Sequence, residues 1–342
     1  MTKFYFKLLF SSFLYLCLTP FAQSEPSQEL IFKLNSQVLR VQVALANGSY
    51  GLGSGVVVAK DQVVTNCHVV ANAVGISVMS NGASYSISAI KPDWKHDLCV
   101  LKADGLDVAP VSIGSSKNLK YEQAVFNIGY PGFIPVPVSN YGVVKGLFPM
   151  DDSVIVRTTS TFRLGASGGG VFDEQGNLIG IITLKSPGRN AFYYNMPVEW
   201  IQALLEKTEQ PITAKSELPF WAKTADQWPF FMKVVQPYLT EDWKALQTIA
   251  QAWVEQEPNT TEAWFFLAAA EYANNDKAMA EQHLQKVVAK NHQHSQAIYY
   301  LSLIEEAKGN HIEAMSNIAL LNSFDAATAT ELKVAMGLSV AP

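Results

Sequence analysis

Three residues in the first half of the chain have types and settings suited to acyl transfer. Arg163-Leu164-Gly165-Ala166-Ser167-Gly168-Gly169-Gly170 is a glycine-rich turn with one serine inside it. Glycine on both sides of Ser167 lets the backbone turn tightly and lets another chain approach closely. The N–H groups of Gly165 and Ser167 can then converge on an oxyanion developing beside the hydroxyl. Upstream, Val63-Val64-Thr65-Asn66-Cys67-His68-Val69-Val70 places His68 just past an apolar run. Asp97-Leu98-Cys99-Val100-Leu101 places a carboxylate at the start of another. Hydrolysing a peptide bond without a metal requires a nucleophile, a base, a group to orient the base, and oxyanion donors. A buried aspartate at such a position can hold an imidazole in the required tautomer.

Plainer readings of the same residues stand beside this one. Ser167 also fits an ordinary turn serine in a glycine-rich hairpin. Asp93 competes with Asp97 as the orienting group, but it follows Pro92 and has no apolar strand behind it. His96 reads as a surface residue beside the site, and His283 and His311 read as surface residues of the C-terminal half. His292 and His294 form a His-x-His pair, a metal-binding spacing that more often marks a solvated helix edge. Gly51-Leu52-Gly53-Ser54-Gly55 hints at a nucleotide loop, but it leads into a strand rather than a helix.

The elements that must position these residues are strands. Short runs rich in Val, Ile and aromatics recur at 38–45, 55–59, 62–65, 97–102, 123–128, 142–148, 153–157, 178–184 and 191–195. Turn formers separate them, as at Asn47-Gly48, Asn81-Gly82 and Gln175-Gly176-Asn177. Many short strands without intervening amphipathic helices favour a barrel or sandwich over 36–196. Pro197 opens a helix over roughly 197–207, with Val198, Ile201, Leu204 and Leu205 on one face. Residues 208–225, with Pro211 and Pro219, fit a linker.

From about residue 226 the apolar period becomes helical, and a repeat of 34 residues emerges. Trp264, Leu267, Ala268, Ala280, Leu284 and Val287 recur as Ile298, Leu301, Ser302, Ala314, Ile318 and Leu321. An earlier, degenerate copy holds Phe230, Val234, Leu246, Ala250 and Trp253; Lys233 falls on a core position and Pro237 lies inside its first helix. These positions resemble tetratricopeptide repeats over about 227–328, with a capping helix near 326–337.

The first half resembles the trypsin-like serine proteases, particularly their bacterial HtrA-type branch. The matching stretches are GSGVVV at 53–58, VVTNCHVV at 63–70, DLCVL at 97–101, GASGGG at 165–170 and NLIGI at 177–181. The order His–Asp–Ser along the chain agrees with that family. The resemblance covers about 30–207 and implies two β-barrels with the site in the crevice between them. It implies His68 as general base, Asp97 as its orienting partner, Ser167 as nucleophile, and Gly165 and Ser167 as oxyanion-hole donors. Ala166 stands where digestive members carry Asp and HtrA-type members commonly carry Asn, so Asp-dependent zymogen activation is not expected. Helical repeats stand where HtrA-type members carry a PDZ segment. If Asp97 bonds His68, Cys67 and Cys99 become neighbours and a disulfide between them is expected. It would close a loop of about 33 residues and contribute roughly 3–4 kcal/mol. The other reading of the pair is two small buried thiols.

Composition is consistent with this picture. The chain has 342 residues, 49% hydrophobic and 16% charged, which suggests two folded domains and excludes a disordered class. The net charge of −5 and the lack of a long Lys/Arg run make nucleic acid an unexpected partner. Residues 1–24 read as a secretory signal: Lys3 and Lys7, an apolar run from Leu8 to Leu18, then Ala22-Gln23-Ser24 before the cut. Its removal leaves a net charge of −7 and two cysteines in a chain bound for an oxidising compartment. The expected layout is a signal at 1–24, a trypsin-like double β-barrel at 25–207, a linker at 208–225 and an all-α tetratricopeptide-like domain at 226–342. The expected function is an exported serine endopeptidase, periplasmic or secreted, acting on protein or peptide substrates. Its repeats bind a partner or substrate, and no metal, cofactor or lasting membrane insertion is implied. The rival is a catalytically silent protease fold that recruits proteins through its repeats.

Overall fold

Val63-Val64 before His68 and Leu98 to Leu101 after Asp97 are apolar without alternation because both faces of their strands are buried. The computed structural model describes residues 25–132, 134–188, 190–212 and 217–338; the expected signal lies outside them. After helix α1 (Gln28–Gln37) come β1 (Val38–Leu45), β2 (Tyr50–Ala59), β3 (Gln62–Thr65), a single turn α2 (Cys67–Val70), β4 (Ala73–Ser80), β5 (Ala83–Ser86), β6 (Ala89–Asp93) and β7 (Leu98–Lys102). These strands form one sheet in the order β5-β4-β1-β2-β3-β7-β6. Val56, Val58, Val64, Leu98 and Val100 face a core shared with the rest of the molecule. Val57, Val63, Cys99 and Leu101 fill the opposite side. The period of two therefore survives in where side chains go, although the residue types do not alternate.

The second half of the β region holds β8 (Ala124–Gly129), β9 (Val138–Met150), β10 (Ser153–Thr158), β11 (Gly170–Asp173), β12 (Leu178–Lys185) and β13 (Tyr193–Pro197). They close into a barrel in the order β10-β13-β12-β11-β8-β9. Against the expectation of two barrels, this half closes, while the first is a seven-stranded sheet with β5 and β6 at its ends. Helix α3 (Val198–Leu205) follows Pro197 as its spacing predicts and buries Val198, Trp200, Ile201 and Leu204. Strands β4, β5, β6 and β11 and helix α1 are additional to the elements read from the sequence.

The stretch after α3 is tied down along its described residues. Gln210 and Ile90 exchange backbone hydrogen bonds of 2.8 and 2.9 Å. Pro219, with φ −61°, sets up a 3-10 turn at Phe220–Ala222. The Phe220 N–H donates to the Lys95 carbonyl at 3.0 Å, and its ring is buried.

An all-helical region completes the fold: α4 (Phe230–Lys233), α5 (Val235–Leu239), α6 (Trp243–Gln256), α7 (Thr261–Ala273), α8 (Lys277–Lys290), α9 (Ser295–Ala307), α10 (His311–Asn322) and α11 (Ala326–Ala335). Of the twelve positions in the two regular 34-residue copies, Trp264 and Leu301 are half-buried and the rest are buried. Pro237 has no N–H to offer the carbonyl four residues back, which is Lys233, and the first helix breaks there into α4 and α5. The helices share a buried cluster with the closed barrel. Phe148 of β9 stacks on Phe231 at 4.9 Å, and the Tyr194 hydroxyl donates to the Phe231 carbonyl at 3.3 Å.

Candidate active site

The short α2 turn and the bend before β7 bring His68 and Asp97 together. Thr65 at the end of β3 pairs in register with Cys99 of β7, so the residues just beyond them meet. Asp97 sits at φ +61°, in the left-handed region. That region is costly for most L-residues but tolerated by aspartate. Two donors grip its carbonyl: Cys67 N–H at 3.2 Å and Asn66 Nδ2 at 3.0 Å. Asn66 Nδ2 also donates to Thr183 Oγ1 at 2.9 Å, linking this bend to β12 of the barrel. The Cys67–Cys99 disulfide is formed, as expected. It joins the residue before His68 to the second residue after Asp97.

The Asp97 carboxylate, 1% exposed, is saturated with donors. Oδ1 accepts the His68 backbone N–H at 2.8 Å, and Oδ2 meets His68 Nδ1 at 2.6 Å. An ionised carboxylate only accepts, so Nδ1 carries the proton and Nε2 is left as the basic nitrogen. A further donor comes from a residue the sequence did not single out. Trp221 Nε1 donates to Asp97 Oδ2 at 3.1 Å, and its ring meets the imidazole edge-on at 5.5 Å. No local motif marks Trp221; it lies in the 3-10 turn within the stretch read as a linker.

The Ser167 loop docks against β2 and β3. Gly168, at φ +86°, lies so close that an added Cβ would fall 2.1 Å from the Ser54 carbonyl oxygen and 2.3 Å from Thr65 Oγ1. Ser54, fully buried on β2, holds the loop twice: its N–H donates to the Ser167 carbonyl at 2.8 Å, and its Oγ donates to the Gly165 carbonyl at 2.9 Å. Ser54 Oγ also accepts the Tyr130 N–H at 2.8 Å. Ser54 lies within the GSGVVV stretch, but its hydroxyl role is visible only in three dimensions. The Leu164 carbonyl accepts from Gly132 N–H at 2.7 Å, so the trans peptide aims the Gly165 N–H the opposite way. Ala166, Gly168 and Gly169 donate to backbone carbonyls, whereas Gly165 and Ser167 N–H have no acceptor among the described residues. The Ser167 hydroxyl likewise makes no hydrogen bond to His68 or to any other described residue.

The other residues weighed from the sequence fall elsewhere. Asp93 pairs with His96 at 2.8 Å, not with His68. His96 is not a plain surface residue: it stacks on Trp200 at 3.9 Å, and its Nε2 lies 2.8 Å from Asp151. Burial and the His96 bonds act against each other on Asp93, and its carboxyl ends below the ordinary range. His283 is buried against Glu271 at 2.8 Å. His294, expected on a solvated edge, is 1% exposed and lies 3.5 Å from the fully buried Glu262. Glu262 also accepts a hydrogen bond from the Tyr121 hydroxyl. His292 and His311 are exposed.

Comparison with known proteins shows what part of the chain is similar to. Residues 53–181 match the trypsin-like peptidase domain. A probable periplasmic serine endoprotease, DegP-like, from Pseudomonas putida strain F1 is 32% identical over 162 residues, covering 43% of this chain and 33% of the relative. Its counterpart from Halomonas elongata is 31% identical over 157 residues, with the same coverage. The chain thus spans about a third of the length of these curated relatives. Among solved structures, the active form of the Rv3671c protease from M. tuberculosis is 18% identical, covering 56% of this chain and 92% of that one, with a TM-score of 0.49. The HtrA-type protease AlgW with a tripeptide is 25% identical, covering 53% and 64%, with a TM-score of 0.47. The domain match and the endoprotease relatives support a serine endopeptidase.

Proposed function

We propose that this chain is an exported serine endopeptidase that cleaves proteins or peptides through an acyl-enzyme. The observation that carries this reading is the 2.6 Å bond from His68 Nδ1 to a buried Asp97 carboxylate, which leaves Nε2 free to accept a proton. When a peptide carbonyl seats beside Ser167, the hydroxyl turns to His68 Nε2; such bonds commonly tighten only once substrate is bound. Nε2 takes the Oγ proton as Oγ attacks the carbonyl carbon. Asp97 stabilises the resulting imidazolium within a low-dielectric setting. The N–H groups of Gly165 and Ser167 receive the oxyanion, each donor being worth roughly 10²–10³ in rate. His68 then returns the proton to the leaving amine, and water on the same base releases the acyl group.

In this reading residues 25–207 form the protease domain, 208–225 the connection and 226–342 a tetratricopeptide-like domain that binds a partner or substrate. The periplasmic relatives support export. Among the described residues no helix is long and apolar enough to cross a membrane. A fluorophosphonate probe tests the proposal: labelling of the wild type that disappears in Ser167→Ala is the expected result. The unmade Ser167–His68 bond favours the rival reading, a silent scaffold that recruits proteins through its helices. Well-folded protein that takes up no probe would establish that rival instead.

A further inference from the structure

Among the described residues, the Asp97 carboxylate takes hydrogen bonds from His68 and from Trp221 alone. The His68 backbone N–H anchors Oδ1. Oδ2 would otherwise be held only by the imidazole that it has to orient. Trp221 Nε1 supplies the outside support, donating to that same Oδ2 at 3.1 Å. Its ring stands at 89° to the imidazole and covers that side of His68. The indole is itself placed from the Asp97 side. Phe220, the residue before it, donates its N–H to the Lys95 carbonyl at 3.0 Å, and Ala222 N–H closes the turn on the Pro219 carbonyl at 2.9 Å. Lys95 belongs to the same bend as Asp97, whose own N–H donates to the Trp94 carbonyl at 3.3 Å. Indole and carboxylate are therefore carried by one piece of structure. His68, Asp97 and Ser167 all fall within residues 53–181, which match the trypsin-like peptidase domain; Trp221 lies beyond them.

We propose that Trp221 is a positioning residue for acylation: its N–H holds Asp97 Oδ2 on His68 Nδ1, so that the imidazole keeps the tautomer and orientation from which Nε2 takes the Ser167 proton. The proposal rests on the endopeptidase reading above and deepens it. Trp221 bonds to Asp97 and packs on His68, and it makes no hydrogen bond to Gly165 or Ser167. It acts through the acid and the base. A merely space-filling role makes different demands. It would depend on the shape of the ring and not on its N–H, and it would persist in a protein whose residue 97 has nothing to accept that N–H.

The test measures fluorophosphonate labelling rates of the full chain, with a small probe that carries no peptide to place against the indole. Trp221→Phe keeps a ring and removes the N–H. It should slow labelling by about 10- to 100-fold, the cost of a slightly misplaced catalytic group. In an Asp97→Asn background, the His68 backbone N–H keeps the amide oxygen at the Oδ1 position, and the amide nitrogen at the Oδ2 position accepts nothing. Adding Trp221→Phe there should slow labelling by less than about twofold further. Proton spectra read the bond itself: the downfield His68 Nδ1–H resonance of the wild type should broaden in Trp221→Phe through exchange with water. Because phenylalanine leaves space that can disturb folding, benzothienylalanine at position 221, with sulfur in place of the N–H and nearly the same shape, supplies a second variant. It should be as slow as Trp221→Phe, with a circular dichroism spectrum like that of the wild type. A folded benzothienylalanine variant that labels within about threefold of the wild type overturns the proposal. So does an equal slowing by Trp221→Phe in both backgrounds, or an Nδ1–H resonance that stays sharp. Wild type that takes up no probe overturns the protease reading instead, and this proposal with it.

Discussion

Cys67 and Cys99 are 32 residues apart in sequence and are both buried. Opening the bridge frees a loop of about 33 residues in the unfolded chain, and the loop-entropy relation then gives a stability loss of roughly 3–4 kcal/mol. The effect on chemistry should be far smaller. Asp97 is also held by Cys67 N–H and Asn66 Nδ2 at its carbonyl, and by His68 and Trp221 at its carboxylate. Those bonds need no sulfur, so the base and its partner should stay within reach and labelling of Ser167 should slow by less than about tenfold. The assay is urea unfolding of oxidised and thiol-reduced wild type, followed by intrinsic fluorescence. Fluorophosphonate labelling rates are measured on the same two samples. Comparing redox states of one sequence avoids the cavity that Cys→Ala would add in a buried site. A stability difference below about 1 kcal/mol would refute the loop argument. Labelling that collapses while stability holds would show that the bridge, not the hydrogen bonds, places Asp97.

Three further outcomes follow from the site and its supports. Asp97→Asn should keep the fold, since asparagine also tolerates the left-handed backbone at this position, and should slow labelling by about 10⁴-fold through the wrong imidazole tautomer; circular dichroism and probe kinetics check both halves. Ser54→Ala removes the donor to the Gly165 carbonyl and the acceptor of the Tyr130 N–H. It should cost about 1–3 kcal/mol in urea unfolding and slow labelling by roughly 10- to 100-fold as the amide pair drifts. At Asp325, burial opposes ionisation, but Lys145 Nζ at 2.5 Å and the Thr328 bonds more than offset it, and the carboxyl is pulled down to about 2. A depressed acid stabilises the fold fully above its unfolded pKa and loses that contribution as pH falls through its folded one. The stability gap between wild type and Asp325→Asn should therefore be present at about pH 5 and shrink between about pH 4 and 2; urea midpoints at both ends test this, and a gap that widens on acidification would contradict it.

The candidate reacting groups stand out in the sequence because each sits in a short local pattern. His68 follows a strand, Asp97 precedes one, and Ser167 lies among glycines whose backbone angles only glycine takes readily. The break at Val234 between α4 and α5 was not foreseen, although Pro237, whose missing N–H leaves the Lys233 carbonyl without its helical partner, was placed inside that helix. Trp221 was not foreseen either, because the acceptor of its N–H lies 124 residues away and nothing beside it in sequence announces that partner. His283 and His294 were misread as surface residues. Their own helices supply polar neighbours, and the aromatic and carboxylate groups that bury them come from other helices and from the barrel. The first sheet and the closed barrel read alike as strings of short strands, because closure depends on which edges meet rather than on residue type.

The helical region is fused to the barrel rather than tethered to it, and this bears on what Trp221 can do. Lys145 of β9 reaches Glu122 at 2.7 Å on the barrel side and Asp325 on the helical side, with all three largely buried. Burial pushes the Glu122 carboxyl up and the Lys145 ammonium pulls it down; it remains above its ordinary value. Nearby, Tyr121 of the barrel half and His294 of the helical half both contact Glu262, which is fully buried. Its carboxyl is raised by burial and lowered more strongly by His294 and its other partners, so it ends below its ordinary value. Separating the two regions would leave such charges without partners, at a cost of about 3–5 kcal/mol for a broken buried pair. Aromatic stacking of Phe148 on Phe231 adds apolar burial to the same seam. A donor carried on a loose linker would spend little time on Asp97. Trp221 instead follows Phe220, which is buried and anchored on Lys95, and precedes α4, whose Phe231 is buried against the barrel, so its 3.1 Å bond is a fixed part of the site. His68 and Asp97 thus inherit their positions from both halves of the chain.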